Sequence, residues 1–238
     1  MSCFSISRVA QYARYHYATQ RKQYLAIILQ MLGWPLLFGI LSRDIDTVYG
    51  IGLALYIFGA MGYSIRTTWS MRGRSTKVLE SVIPISNEER MTFMILNGAV
   101  AFPLILTITT TLAMLLTTPF VYADVAVGHE LCDMIAHGYF YWPIYILIQI
   151  IYSASLLINL AARRNLVLAY VGAFIGVMVF FGITGRVGLE LLIRYEEQFS
   201  AFSHLSIPEP VGITLYVLIP VVFYALGYLV LRKRQVKW

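Results

Sequence analysis

Residues 91–119 read MTFMILNGAVAFPLILTITTTLAMLLTTP, a run without a single Asp, Glu, Lys or Arg. An α-helix rises about 1.5 Å per residue, so this run is long enough to cross ~30 Å of hydrocarbon. A helix in a soluble core rarely needs that length without a charge. Lipid offers no partner for backbone N–H and C=O groups, so a crossing segment must satisfy them internally, as a helix does. Working outward, five more stretches have the same character: 23–41, 48–65, 138–162, 165–185 and 211–231. Each has about 18 or more uncharged residues, the span requirement. The expected fold is an all-α integral membrane protein of six transmembrane helices, with residues 1–238 as one transmembrane domain. Composition agrees. Mean hydropathy is +0.71, and only 13% of residues are charged, against about 25% in soluble domains.

The charges between the runs give an orientation. With the N-terminus inside, 15 of the 18 basic residues fall on inner segments, and only Arg43, Arg186 and Arg194 fall outside. Nine of the 12 acids fall outside, from Asp44 and Asp46 to Glu209. This is the positive-inside pattern, so both termini are expected in the cytoplasm, and the chain in the inner (cytoplasmic) membrane as a multi-pass protein. The net charge of +6 then reports topology and is no reason to invoke nucleic acid. Membrane lipids are the expected surroundings. The first apolar run begins only at Tyr24, so no cleavable signal peptide is expected. Cys3 and Cys132 lie on opposite sides in this topology, which argues against a disulfide between them.

Three segments between the runs have their own patterns. Residues 1–22 mix Tyr12, Tyr15 and Tyr17 with Arg8, Arg14 and His16, the composition of a helix lying in the cytoplasmic interface. The inner loop 66–91 places Leu79, Val82 and Ile83 among charges and then Pro84, where a short helix should end. Ser86 followed by Glu89 has capping-box spacing, so the third span's helix should start at Ser86. The outer segment 186–210 repeats Leu191, Tyr195, Phe199 and Phe202 at helical spacing and reads as an amphipathic helix.

The spans carry no interior charge, which argues against proton- or sodium-coupled carriers, pumps and voltage sensors. Their polar residues are mild: Gln30, Asn97, the threonines of 107–111, Gln149, Ser153, Ser155 and Asn159. Interhelical hydrogen bonding is the simpler role for them. Gly172 and Gly176, and Gly59 with Gly62, are small residues suited to close helix packing. Pro35, Pro103, Pro143 and Pro220 should kink their helices or sit near helix ends. No Gly-x-Ser-x-Gly elbow and no phosphate-cradling Gly-x-x-x-x-Gly-Lys-Ser/Thr loop occurs. No catalytic residue is therefore singled out. On a helix, His129, Asp133 and His137 would share one face at i, i+4 and i+8, a candidate metal site. A membrane-embedded metal-dependent hydrolase is the alternative that face would support. A non-transporting scaffold or immunity protein is a third reading.

Ile83-Pro84-Ile85-Ser86-Asn87-Glu88-Glu89-Arg90 resembles the Leu-Pro-x-Ser-x-x-Glu-Lys stretch of small bacterial permeases. Pro84, Ser86 and Glu89 match, while Ile83 and Arg90 are conservative departures. With the order of segments along the whole chain, this resembles the membrane subunit of a type-2 ABC exporter, the six-span class with the type V exporter fold. The resemblance implies that ATP and Mg are bound by a separate ABC ATPase subunit in two copies, with no cofactor in this chain. It implies a second permease, in a homodimer or a related heterodimer. It also implies a coupling helix near 76–83 that rests on the ATPase. Leu79, Val82 and Ile83 would be its apolar anchors, with Arg74, Lys77, Glu80, Glu88 and Arg90 setting polar register, and Pro84, Ser86 and Glu89 would complete the ATPase-coupling set. The expected substrate is lipid-like, amphipathic or a peptide.

Overall fold

The computed structural model describes residues 4–43, 45–69, 85–120, 142–162, 165–176, 179 and 209–235, and these described residues are almost entirely helical. α1 (Ile6–Thr19) turns Val9, Tyr12 and His16 inward. Gln20 leaves helical geometry and its N–H donates to the His16 carbonyl, so the chain breaks there and restarts as α2 (Arg21–Ser42). α2 buries Tyr24, Met31, Pro35 and Gly39, one residue per turn or two. It ends at Arg43, whose φ of 57° is left-handed and whose N–H donates to the Gly39 carbonyl. This is a helix stop that glycine usually provides. The chain reverses there into α3 (Ile45–Thr67).

α4 (Asn87–Leu96) starts where the capping box predicts, with Ser86 as N-cap. It continues through one wide π turn (Asn97–Ala101) into α5 (Phe102–Thr117) and a final tight turn (Thr118–Phe120). α6 covers Trp142–Ala161, α7 Leu166–Gly176 and α8 Glu209–Gln235. α3 lies centrally, packed on α2, α5 and α6, while α8 packs along α6 and touches α4. Gln149 meets Tyr224 and Leu160 meets Gly227, so α8 runs parallel to α6. α1 crosses one end of the bundle, against α4 and the start of α2.

Four of these helical stretches are long and apolar enough to cross a membrane: Arg21–Ser42, Asn87–Phe120, Ile144–Ala161 and Tyr216–Lys233. The second, at 34 residues, is about 50 Å long. It exceeds the ~30 Å core, so its charged first turn lies beyond the hydrocarbon. The surface is inverted relative to a soluble protein: Phe58, Val167 and Leu168 are each about 70% exposed or more, while Asn97, Thr110 and Ser153 are buried.

Two expectations change. A helix of residues 1–22 lying in the interface would hold its aromatic rings at headgroup depth. Instead Tyr12 and His16 are buried against Phe93 of α4, because rings gain more from mutual packing than from a half-wet interface. Of the glycines expected at close contacts, Gly59 sits against Met31 and Phe102, whereas Gly62, Gly172 and Gly176 have no neighbour within 4 Å of a built Cβ among the described residues. The coupling segment with Arg74, Lys77, Leu79, Glu80, Val82, Ile83 and Pro84, the His129/Asp133/His137 face and the outer segment 186–208 lie outside the described residues.

Candidate functional site

The end of the bundle crossed by α1 concentrates the polar chemistry, in two layers. The outer layer is built on Glu89. The Ser86 hydroxyl accepts the Glu89 N–H at 3.2 Å, and the Ser86 N–H donates to Glu89 Oε2 at 2.9 Å. This is the reciprocal box read from the sequence, and it uses only one carboxylate oxygen. The other oxygen accepts from α1: from the Ser5 N–H at 2.8 Å, Arg8 Nε at 2.9 Å and Arg8 Nη2 at 2.6 Å. A local cap is thus also a long-range clamp between residues more than 80 positions apart. The Glu89 side chain is fully buried while Arg8 stays 33% exposed, so the pair sits under α1 rather than deep in the bundle. The Arg8 hydrogen bonds hold the Glu89 carboxyl down to about 2. Glu88, one position earlier, points outward, and Tyr228 of α8 lies at 3.4 Å from its Oε1.

The inner layer follows from Pro103. Proline has no N–H, and the Phe102 N–H donates to Asn97, five residues back. The carbonyls of Gly98 and Ala99 therefore lose their usual helical donors. α6 replaces them from the side. Gln149 Nε2 donates to the Gly98 carbonyl at 3.2 Å, and the Tyr145 hydroxyl donates to that of Ala99 at 3.0 Å. The Tyr152 hydroxyl donates to the Met94 carbonyl at 3.1 Å. Tyr145, Gln149 and Tyr152 are spaced i, i+4 and i+7, so one face of α6 follows the widened helix. Gly98 is where the two helices come closest: a Cβ there would lie 2.0 Å from the Tyr152 ring.

Asn97 stands at the start of the wide turn and joins five helical segments. Its Oδ1 accepts from the hydroxyls of Tyr17 on α1 and of Tyr63 on α3, the latter at 2.9 Å. Its Nδ2 donates to Thr67 Oγ1 at 2.8 Å and to the Tyr24 hydroxyl of α2 at 3.4 Å. Tyr152 of α6 reaches the same Thr67 oxygen at 3.3 Å. Both lone pairs and both hydrogens of the amide are in use, which is all an amide can offer. Tyr24 also lies 3.0 Å from His16 Nε2. His16 is enclosed by Tyr12, Tyr17, Tyr24 and Phe93, and burial lowers its pKa to about 4. The ring is therefore neutral at physiological pH. A smaller node lies beside it, where Asn159 donates to Ser64 Oγ at 2.8 Å and accepts from Tyr170 of α7 at 3.2 Å.

Of the residues named for contact with an ATPase, Ser86, Glu88, Glu89 and Arg90 are described. Glu89 and Arg90 are buried, Ser86 is half-buried and Glu88 is exposed. Glu89 thus belongs to the inside of the α1–α4 junction, and Arg90 beside it is turned away from the surface. The amides of Asn97, Gln149 and Asn159 do link helices as expected. Thr107, Thr109 and Ser153 instead bond carbonyls one turn back in their own helices, a common outlet for hydroxyls in apolar helices. The tyrosines at 24, 63, 145 and 152 were missed as polar partners, and Tyr17 was read only as part of the interfacial helix. Their apolar rings hide them in a hydropathy count, and only their spacing on α6 could have marked them. Among the described residues no cluster of His, Cys, Asp or Glu is arranged to hold a metal. No family model, curated protein or solved structure matches the chain. Fold and site together define an α-helical membrane protein whose buried polar groups gather at one end of the bundle.

Proposed function

We propose that this chain is the membrane-spanning subunit of an ATP-driven transporter of the ABC type, crossing the inner membrane six times with both termini in the cytoplasm. The observation that carries the reading is the Glu89 clamp. It sits at the end of the permease-like Ile83–Arg90 stretch and fastens the helix that follows to α1, so a push on loop 66–91 would move α1 and α4 as one body. That body is joined through Asn97 to α2, α3 and α6. A rigid lever of this kind suits rocking-type transport. The parallel course of α6 and α8 requires a return crossing between them, and the apolar α7 lies in that interval, which supports an even number of spans. In this reading the ATPase is a separate chain that engages loop 66–91 through Leu79, Val82 and Ile83, with Glu88 at the rim. Two such subunits would line a path for an amphipathic or lipid-like substrate.

The test is an affinity purification of the detergent-solubilised chain from its native membrane, with an ATPase assay on the eluate. A stoichiometric P-loop ATPase that is lost on changing Leu79→Asp with Ile83→Asp is the expected result. Its absence, while the Asn97 core remains folded, would overturn the proposal.

A further inference from the structure

Asn97, Gln149 and Asn159 are side-chain amides within the spans, and each is bonded across helices. Gln30, also within a span, points out of the bundle and has no hydrogen bond among the described residues. It lies nine residues past Arg21, roughly 13 Å along α2. With Arg21 and Lys22 at the headgroups, that is near the bilayer midplane, out of a glutamine's reach to water. An amide there without a partner is unfavourable, because hydrocarbon offers neither donor nor acceptor.

The surroundings of Gln30 are suited to another helix. Ala26, Gln30, Gly33 and Leu37 recur at i, i+4, i+7 and i+11, and all four are exposed. A Cβ built on Gly33 meets nothing within 4 Å. Two small residues flank the amide, so a second backbone can come close enough for a side chain as short as glutamine's to bond across. We propose that this face of α2 is where a second copy of the chain docks, Gln30 to Gln30 about a two-fold axis. The occupant follows from hydrogen-bond complementarity. A primary amide carries donor and acceptor together, so the same amide in a symmetry-related copy satisfies both halves with two reciprocal bonds. An isologous contact needs no other chain to supply the match. The inference rests on the membrane placement of α2 and not on the transport reading. An ATPase that fails to co-purify tests that reading, whereas self-association tests this one.

The experiment uses the full chain with Cys3→Ser and Cys132→Ser, labelled at an introduced cysteine with donor or acceptor dye. It is reconstituted in phosphatidylcholine vesicles over a dilution series of protein in lipid. Energy transfer should report a dimer. Gln30→Leu should weaken its association constant roughly five- to thirty-fold, the span of interhelical amide bonds in lipid. Gln30→Asn should retain most of it, and Gly33→Leu should weaken it by blocking close approach. Neither Gln30 nor Gly33 touches the interior, so the variants should melt like the parent, which separates lost docking from lost fold. A parent chain that stays monomeric throughout would overturn the proposal and leave the face to lipid or to a different protein. A dimer indifferent to Gln30→Leu would overturn it as well, since association would then use another face such as that of α8.

Discussion

At the α1 end of the bundle, Asn97 and its tyrosine and threonine partners tie five helical segments together by side-chain hydrogen bonds. At the far end the same helices meet through shape. Gly39 of α2 has no side chain to hold Val48 of α3 and Thr117 of α5 apart: a Cβ there would lie 2.3 Å from Val48 Cγ2 and 3.0 Å from the Thr117 side chain. Thr117 spends its hydroxyl on the Ala113 carbonyl of its own helix at 2.7 Å. The difference teaches how a bundle without interior charge can be specified. Steric contact sets how close two helices lie, and many apolar surfaces would serve. A saturated amide accepts only one arrangement of its neighbours, because any other leaves several polar groups unpaired in hydrocarbon.

The comparison can be broken at either end. The largest effect is expected for Asn97→Ala, which removes the shared acceptor of the Tyr17 and Tyr63 hydroxyls and the donor to Thr67 and Tyr24 at once. A loss of about 3 kcal/mol is the sum of several interhelical bonds in lipid, readable as a fall in detergent-resistance midpoint. If this variant melts like the parent, the hub does not specify the fold. Gly39→Ala should cost about 2 kcal/mol, the overpacking range, since Val48 is too short and branched to step aside. The companion change Val48→Ala should recover most of that loss, and a loss that persists would mean that shape is not what the far end lacks.

Acid should separate the layers of the α1 end. The imidazole of His16 is at 6.5 when free and about 4 in the fold. The folded state thus favours the neutral ring, and this stabilisation is complete above pH 6.5 and is lost as pH falls from 6.5 to 4. Glu89 is depressed from 4.5 to about 2, so its contribution is complete above pH 4.5 and is lost as pH falls from there toward 2. Thermal melts between pH 8 and 3 should show two successive declines. His16→Phe should flatten the first and leave the second. Ser86→Ala should cost about 1 kcal/mol, the usual value of an N-cap, and should shorten protection from hydrogen exchange at the first turn of α4. The smallest effect is expected for Thr117→Val, within about 0.5 kcal/mol, because its hydroxyl bonds only its own helix. A larger loss there would mean that the far end also depends on polar contacts.

The long helices, the start of α4 at Ser86 and the disturbance near Pro103 were all legible in the sequence. Each depends on interactions within a few residues: an uncharged run, an i,i+3 cap, a missing N–H. Part of the candidate site was legible in the same way, through Glu89 as a capping residue and Asn97 as a polar residue in a span. What those residues bond to was not. Glu89 reaches Arg8, and Asn97 reaches Tyr17, Tyr24, Tyr63 and Thr67, because helices distant in the chain were rotated until their polar groups met. Gln30 and Asn97 look alike in the sequence, each an amide in an apolar run, yet one faces outward and the other is the centre of the bundle. The sequence alone determined which stretches become helices, since backbone hydrogen bonds and charge-free length are local properties. Only the tertiary structure decided which side of each helix faces inward, because that rotation is set by the packing of all the helices together.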